Sequence, residues 1–322
     1  MPNDTPTNPS VLVVYDRPED FRDLLEVRFP DLPIAYAGSP AEVPVALEAA
    51  RPEVVLSIKH TEFPGETHRP IVDCPTVRWV QVGGSGFEHL LPWDGDRLTV
   101  TNCAGVLSRF LAESVTGAII MLNGHFVRYL DQQRAAVWRM HPFRTLSEQT
   151  LLVVGLGQIG SHVAANAKAL GMRVLAIRRT QTPHPAVDGL YPPEALHEML
   201  GQVDIVSLHL RLSEETRHLI DARALAAMKP GALLVNTARG PIVDEAALIE
   251  ALESGHLGGA YLDVFETEPL PPESPLWRLD NVIVTPHAAE NIDDWPRRFA
   301  AFFADNLDRW RAGEPLENLV KI

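Results

Sequence analysis

Short apolar runs separated by amphipathic stretches recur through the first third of the chain: VLVVY (11–15), PIAYA (33–37), EVVLSI (53–58), VRWVQV (77–82) and LTVTN (98–102). Runs this short and this continuously apolar predict strands buried on both faces, and the amphipathic stretches between them suit crossover helices. A second, stronger series follows: LLVVG (151–155), RVLAI (173–177), VDIVSLHL (203–210), GALLVNT (231–237), GAYLDVF (259–265) and NVIVT (281–285). Alternation of this kind is the signature of βα units around a parallel sheet, so the pattern predicts two doubly wound α/β sheets in succession.

Two longer amphipathic stretches frame the second series. Residues 108–130 carry helical apolar spacing, with Phe110, Leu111, Val115, Ile119 and Leu122 on one face, and are expected to join the domains. Residues 294–313 show another stripe of Phe299, Phe302, Phe303 and Leu307. Packed back on the first domain, that helix makes the first domain discontinuous. The expected division is 1–104 plus 292–322 for one domain and 105–291 for the other. No internal repeat is visible, and the polar N-terminus is the sole low-complexity segment.

At 322 residues, 46% of them hydrophobic, the chain is long enough for two domains with substantial cores. Acidic residues outnumber basic ones 42 to 28, a formal charge of −14. Most of such a surface repels nucleic acid, so any anion bound must be small and met by local arginines. Two cysteines, Cys74 and Cys103, are too few for a disulfide framework and are expected to be reduced and partly buried. The start has no basic and apolar leader, and no run approaches the roughly 20 apolar residues of a membrane span. A cytoplasmic protein without membrane or metal partners is the expectation.

The first chemical motif is GLGQIG, 155–160, directly after an apolar strand and at the start of a helical stretch that ends at Gly171. Gly155, Gly157 and Gly160 allow a tight turn, close approach of a pyrophosphate, and close helix-to-strand packing, while the amides of Gln158 and Ile159 begin the helix that meets it. A nicotinamide dinucleotide is the expected cofactor. At the end of the next strand, where a carboxylate holds an unmodified ribose, stand Arg178, Arg179 and Thr180. Two arginines neutralise a 2′-phosphate and the threonine adds a hydrogen bond, so NADP(H) is preferred and NAD(H) remains an option. A pair of solvated surface arginines fits the same residues.

Three later stretches place polar groups at the ends of predicted strands: VNTARGPIVDEAAL (235–248), YLDVFETEPL (261–270) and VIVTPHAAE (282–290). With WVQVGGSGFEHL (79–90), GLGQIG and HLRLSEETRHLI (209–220), they follow an order in which the chain resembles the D-isomer-specific 2-hydroxyacid dehydrogenases, over almost its whole length. That resemblance implies a Rossmann cofactor domain and a flavodoxin-like substrate domain. It also implies a catalytic trio: Arg239 binding the substrate carboxylate and polarising its carbonyl, His287 giving the proton, and Glu268 stabilising the imidazolium. Glutamate at this position separates oxidoreductases of 2-oxo acids from formate dehydrogenases, which carry glutamine. Each of the three, taken alone, also fits an ordinary loop or surface residue.

Further positions carry over by the same resemblance. Asp263, Ala238 and Thr237 match positions near the nicotinamide, with His287, while His209, Leu210, Arg211 and Thr216 match the loop beside the adenosine. The family usually has proline where Arg211 stands, so this residue is either a third group for the 2′-phosphate or a plain surface arginine. Gly84, Ser85 and Gly86 match the loop whose amides bind the substrate carboxylate, and they equally fit an ordinary glycine turn. Two departures stand out: Glu290 is placed near the nicotinamide, where the family has Gly or Ser within a few residues, so the cofactor contact is expected to differ in detail there, and SEQT (147–150) replaces a usual Gly-Lys-Thr, a change expected to alter a surface turn.

The resemblance thus implies a reductase of glyoxylate, hydroxypyruvate or a similar small 2-oxo acid. Relatives use the region of RYLDQQRAAVWRMHPF (128–143) to form a two-fold dimer, so a homodimer is expected, with Trp138 either buried in its own subunit, the first expectation, or reaching the partner's active site and limiting substrate size. A phosphoglycerate dehydrogenase fits less well, since no C-terminal extension follows residue 322. A dinucleotide-sensing corepressor of the same fold is the alternative from another functional class.

Overall fold

In the computed structural model, which describes residues 8–59 and 63–321, each of the apolar runs named above forms a strand. The chain divides into two compact units: residues up to Leu107 together with those from Ile292 onward, and Ser108–Asn291. Along the first unit run β1 (Val11–Val14), α1 (Arg22–Arg28), β2 (Ile34–Ala37), α2 (Glu42–Ala50), β3 (Val54–Ile58), α3 (Arg69–Asp73), β4 (Trp79–Gly83) and β5 (Thr99–Asn102). The second unit holds α4 (Ser108–Asn123), α5 (Phe126–Arg134), β6 (Thr150–Val154), α6 (Gln158–Ala169), β7 (Arg173–Ile177), β8 (Gly189–Tyr191), α7 (Leu196–Leu200), β9 (Ile205–Leu208), α8 (Ala222–Ala227), β10 (Leu233–Asn236), α9 (Glu245–Glu253), β11 (Gly259–Leu262) and β12 (Val282–Val284). The chain then returns to the first unit in α10 (Trp295–Ala312).

Both sheets are parallel throughout. The first has the order β2-β1-β3-β4-β5, the doubly wound order of flavodoxin-like folds. The second runs β12-β11-β10-β9-β6-β7-β8, the Rossmann arrangement with one strand added. Because successive side chains point to opposite faces, one strand feeds two cores: Val11 and Val13 enter one with α1 and α10, Leu12 and Val14 the other with α2 and α3. In the second unit Leu151 and Val153 pack under α4 and α6, while Leu152 and Val154 face α7, α8 and α9. Burial on both faces is why these runs are apolar without alternation.

The stretch 108–130 is not one helix. It breaks after Asn123, and α4 and α5 are bent by 64°. Gly124 is a poor helix former, and His125 takes a left-handed conformation with φ of 57°. The stripe from Leu111 to Leu122 lies wholly on α4, whereas α5 has no buried residue to hold it in line. Among the described residues no single helix is long and apolar enough to cross a membrane. In α10, Phe299, Phe303 and Leu307 are buried against the first unit's core and Phe302 is half-buried. Trp79 of β4 stacks between Phe303 and Trp310, with ring centres 5.4 and 5.5 Å away.

Candidate active site

The strand order of the second unit reverses between β6 and β9, and open α/β sheets bind ligands at the carboxyl ends of the strands flanking such a switch. The glycine turn leaves β6 at that point. Gly155 has φ of 99°, and a Cβ there would lie 2.4 Å from the His209 carbonyl, so neither its conformation nor its space admits a side chain. A Cβ on Gly160 would lie 2.2 Å from the Gly155 carbonyl, which fixes how closely α6 meets β6. At Gly157 the space is open.

Gly157 caps α6 without a side-chain hydrogen bond, leaving first-turn amides, with Gln158 and Ile159, for an anion. At the ends of β9 and β10, His209 Nδ1 and Thr237 Oγ1 are buried with no hydrogen-bond partner among the described residues. The other ring nitrogen of His209 meets Ser207 Oγ at 2.8 Å, and burial lowers its pKa to about 3, so the imidazole is neutral. Leu210 packs toward the glycine turn. Open space at the turn, an uncapped helix start and two unpartnered buried polar atoms on adjacent strand ends fit a dinucleotide.

At the end of β7, the Arg178 amide donates to the Tyr191 carbonyl at 3.0 Å, so β8 sets the course of the chain there. Arg178 is half-buried, while Arg179 and Thr180 are exposed. Arg179 forms an ion pair with Glu215, a residue of the loop after β9 that nothing in the sequence pattern links to it. Arg211 is exposed in the same loop. Thr216 Oγ1 donates to the Arg211 carbonyl at 2.8 Å and accepts from the Ser213 amide at 2.7 Å, so its hydroxyl shapes the loop.

Arg239 follows β10, and its Nη1 donates to the Ala238 carbonyl at 2.7 Å while Asn236 Nδ2 donates to the Arg239 carbonyl at 3.0 Å. Ala238 is buried, its amide bonded to Asn236 Oδ1 at 3.1 Å. His287 lies after β12 with a left-handed φ of 51°. Its Nδ1 meets Glu268 Oε2 at 2.9 Å, and the Phe265 amide donates to Glu268 Oε1 at 3.1 Å. The Glu268 hydrogen bond raises the His287 pKa against the effect of burial. Burial alone would raise the Glu268 carboxyl, yet the His287 hydrogen bond and charge, the Phe265 amide and Arg239 hold it below its ordinary value. His287 remains half-exposed, with Nε2 unengaged by described residues.

Asp263, buried at the end of β11, builds the histidine loop. Its Oδ1 accepts from Thr285 Oγ1 at 2.5 Å and from the amides of Ala288 and Ala289 at 2.7 and 3.1 Å, and its carbonyl accepts from the His287 amide at 2.8 Å. Burial pushes its carboxyl up despite these donors. Thr285 has no prominence in the sequence pattern beyond preceding Pro-His.

In the first unit, the turn after β4 has Gly84 at φ of 121°. The Ser85 carbonyl accepts from Asn102 Nδ2 at 2.8 Å and the Gly84 carbonyl from the Cys103 amide, also at 2.8 Å. Those carbonyls turn inward to β5, while the amides of Gly84, Ser85 and Gly86 have no acceptor among the described residues. The expectation of a buried Trp138 is corrected: its side chain is 98% exposed, in an arm that follows α5 with no core beneath it.

The model of the D-isomer specific 2-hydroxyacid dehydrogenase NAD binding domain matches residues 116–289. The chain is 34% identical to a glyoxylate reductase of Korarchaeum cryptofilum over 97% of this chain and 96% of that one. It is 48% identical to an (S)-sulfolactate dehydrogenase of Chromohalobacter salexigens over 73% and 78% of the two chains. A D-isomer specific 2-hydroxyacid dehydrogenase of Xanthobacter autotrophicus, solved in complex with NADPH and MES, superposes with a TM-score of 0.81 at 34% identity, over 97% of this chain and 98% of that one. With two parallel α/β sheets, a glycine turn at the switch point and a matching family model across more than half its length, the chain belongs to the D-isomer specific 2-hydroxyacid dehydrogenases, oxidoreductases that act on a CH–OH group with a nicotinamide dinucleotide.

Proposed function

We propose that this enzyme reduces small 2-oxo acids of the glyoxylate or hydroxypyruvate type, prefers NADPH to NADH, and works as a homodimer in the cytoplasm. The observation that carries the chemistry is the 2.9 Å bond between His287 Nδ1 and Glu268, whose carboxyl the Arg239 charge also helps to hold down. When bound, the nicotinamide dinucleotide supplies the hydride. The planar guanidinium of Arg239 binds the substrate carboxylate in two-pronged fashion and polarises the carbonyl. Proton donation falls to His287 through Nε2, because Nδ1 is engaged and Glu268 stabilises the charged ring. The open amides of Gly84, Ser85 and Gly86 suit a carboxylate.

Cofactor contacts divide among the glycine turn, with Gln158 and Ile159, the end of β7 and the ends of β9, β10 and β11. Arg178 and Arg179, with Thr180 and Arg211, suit the 2′-phosphate, and the NADPH complex of the Xanthobacter relative supports that preference. His209, Leu210 and Thr216 shape the adenosine side, and Thr237, Ala238, Asp263 and His287 the nicotinamide side. Cys74 and Cys103, which form no disulfide, suit a reducing compartment.

The test is oxidation of NADPH and NADH by purified protein with glyoxylate, in wild type and in Arg178→Asp. Each charge-assisted hydrogen bond to the phosphate contributes about 1.5–3 kcal/mol, so kcat/KM should favour NADPH by about ten-fold or more, and the aspartate should reverse the order. Arg179→Ala should weaken NADPH by only about two- to five-fold, since Glu215 already engages that exposed guanidinium. Equal use of both cofactors by wild type would sink the phosphate assignment. Absence of turnover with any 2-oxo acid would favour a dinucleotide-sensing corepressor.

A further inference from the structure

Glu290 is a carboxylate of the histidine loop that proton transfer does not use. It follows Ala288 and Ala289, whose amides are pinned to Asp263, and the loop is closed by Asn291 N–H donating to the Ala288 carbonyl at 3.0 Å. The Ala289 carbonyl accepts from Ser114 Oγ at 2.7 Å, so the backbone is held from both sides of the residue before Glu290. Glu290 is half-buried and has no hydrogen bond or ion pair among the described residues. It stands three residues after His287 in this pinned loop, and burial raises its carboxyl against the opposing charges of His287 and Arg239, the two groups assigned to the substrate's carbonyl and carboxylate.

A half-buried carboxylate with no donor carries a desolvation cost that a ligand donor would relieve. A 2-oxo acid held through its carboxylate and carbonyl has one remaining point of contact, the substituent on its third carbon. A carboxylate beside that substituent accepts a hydrogen bond from a hydroxyl and repels a second anion. We propose that Glu290 is a specificity-determining residue: it favours 2-oxo acids bearing an uncharged hydrogen-bond donor on the third carbon, with hydroxypyruvate as the smallest, and rejects those bearing a second anionic group. The inference rests on the 2-oxo acid reductase reading. It separates this enzyme from its sulfolactate dehydrogenase relative, whose substrate carries a sulfonate, even though 48% of aligned residues are shared.

The experiment compares kcat/KM for hydroxypyruvate, glyoxylate, oxaloacetate and sulfopyruvate in wild type, Glu290→Gln and Glu290→Ala at one pH and ionic strength. Wild type should prefer hydroxypyruvate to glyoxylate, and both to the two dianions, by roughly ten-fold or more at each step. Glu290→Gln should raise the dianions relative to glyoxylate by about ten-fold while keeping part of the hydroxypyruvate preference, and Glu290→Ala should lose that preference. Calorimetry supplies a second readout without turnover: with NADPH present, D-glycerate should bind wild type more tightly than D-malate, and the gap should narrow in Glu290→Gln. Wild-type reduction of oxaloacetate as fast as hydroxypyruvate, or substrate ratios unmoved in both variants, overturns the selection by Glu290 while leaving the reductase intact. If wild type reduces none of the four acids, the reductase reading itself fails and this inference falls with it.

Discussion

As the proposed proton donor, His287 must be charged to give a proton and neutral to take one, so its pairing with Glu268 sets the pH range over which each direction is catalysed. Because the folded-state pKa of His287 is raised, kcat/KM for reduction should be full below it and fall as pH rises through it, while oxidation of the 2-hydroxy acid should rise over the same interval. The same sign holds for stability: the pair's contribution is fully present below the unfolded histidine pKa and is lost as pH rises through the folded one. Glu268→Gln removes the main cause of the shift, so the fall in reduction should move to lower pH. His287→Ala should lower turnover by roughly 10²- to 10⁴-fold with NADPH binding retained. The check is a pair of pH profiles with cofactor titrations; an unmoved midpoint in Glu268→Gln would show that Glu268 acts through packing rather than charge.

Elements whose signal is periodic are legible in the sequence, and those made by pairing alone are not. The eleven apolar runs declare themselves because both faces of each sheet are covered, and GLGQIG because a Cβ at Gly155 or Gly160 meets backbone oxygen. Strand β8 is hidden: three half-buried residues starting with a glycine acquire strand geometry only by pairing with Leu175–Ile177 of β7. The Arg179–Glu215 pair is hidden for a similar reason, since two exposed charges on separate loops leave no local pattern. Asp263 is partly legible: its place after a strand is plain, but its work, gathering the Thr285 hydroxyl and the amides of Ala288 and Ala289, belongs to the fold. Asp263→Ala strands these donors at about 1–3 kcal/mol for each that stays buried. Its thermal midpoint should therefore fall by several degrees, and its catalytic rate should fall with the loosened His287; a midpoint equal to wild type would show that the loop holds its shape without this carboxylate.

At the scale of the whole molecule, a formal charge of −14 makes two copies repel at long range, so self-association must come from short-range apolar contact. The arm after α5 offers that contact. Val137, Trp138, Met140 and Phe143 are 51, 98, 86 and 62% exposed, and the first three line a groove with Tyr129 and Gln132. The base of the arm is fixed, with the His141 amide donating to Tyr129 Oη at 2.9 Å and Tyr129 Oη donating to the His141 carbonyl at 3.2 Å. Large apolar side chains held out from a fixed base suit the contact of the proposed dimer. Light scattering at micromolar concentration should therefore give twice the 35.5 kDa chain mass. Added salt should leave the dimer intact or tighten it, because screening weakens the repulsion and not the apolar contact. Trp138→Lys combined with Met140→Lys should yield a folded monomer that still binds NADPH, since neither residue belongs to the glycine turn or the arginine pair. A wild-type monomer at that concentration, or a double variant that stays dimeric, would remove the arm from the assembly.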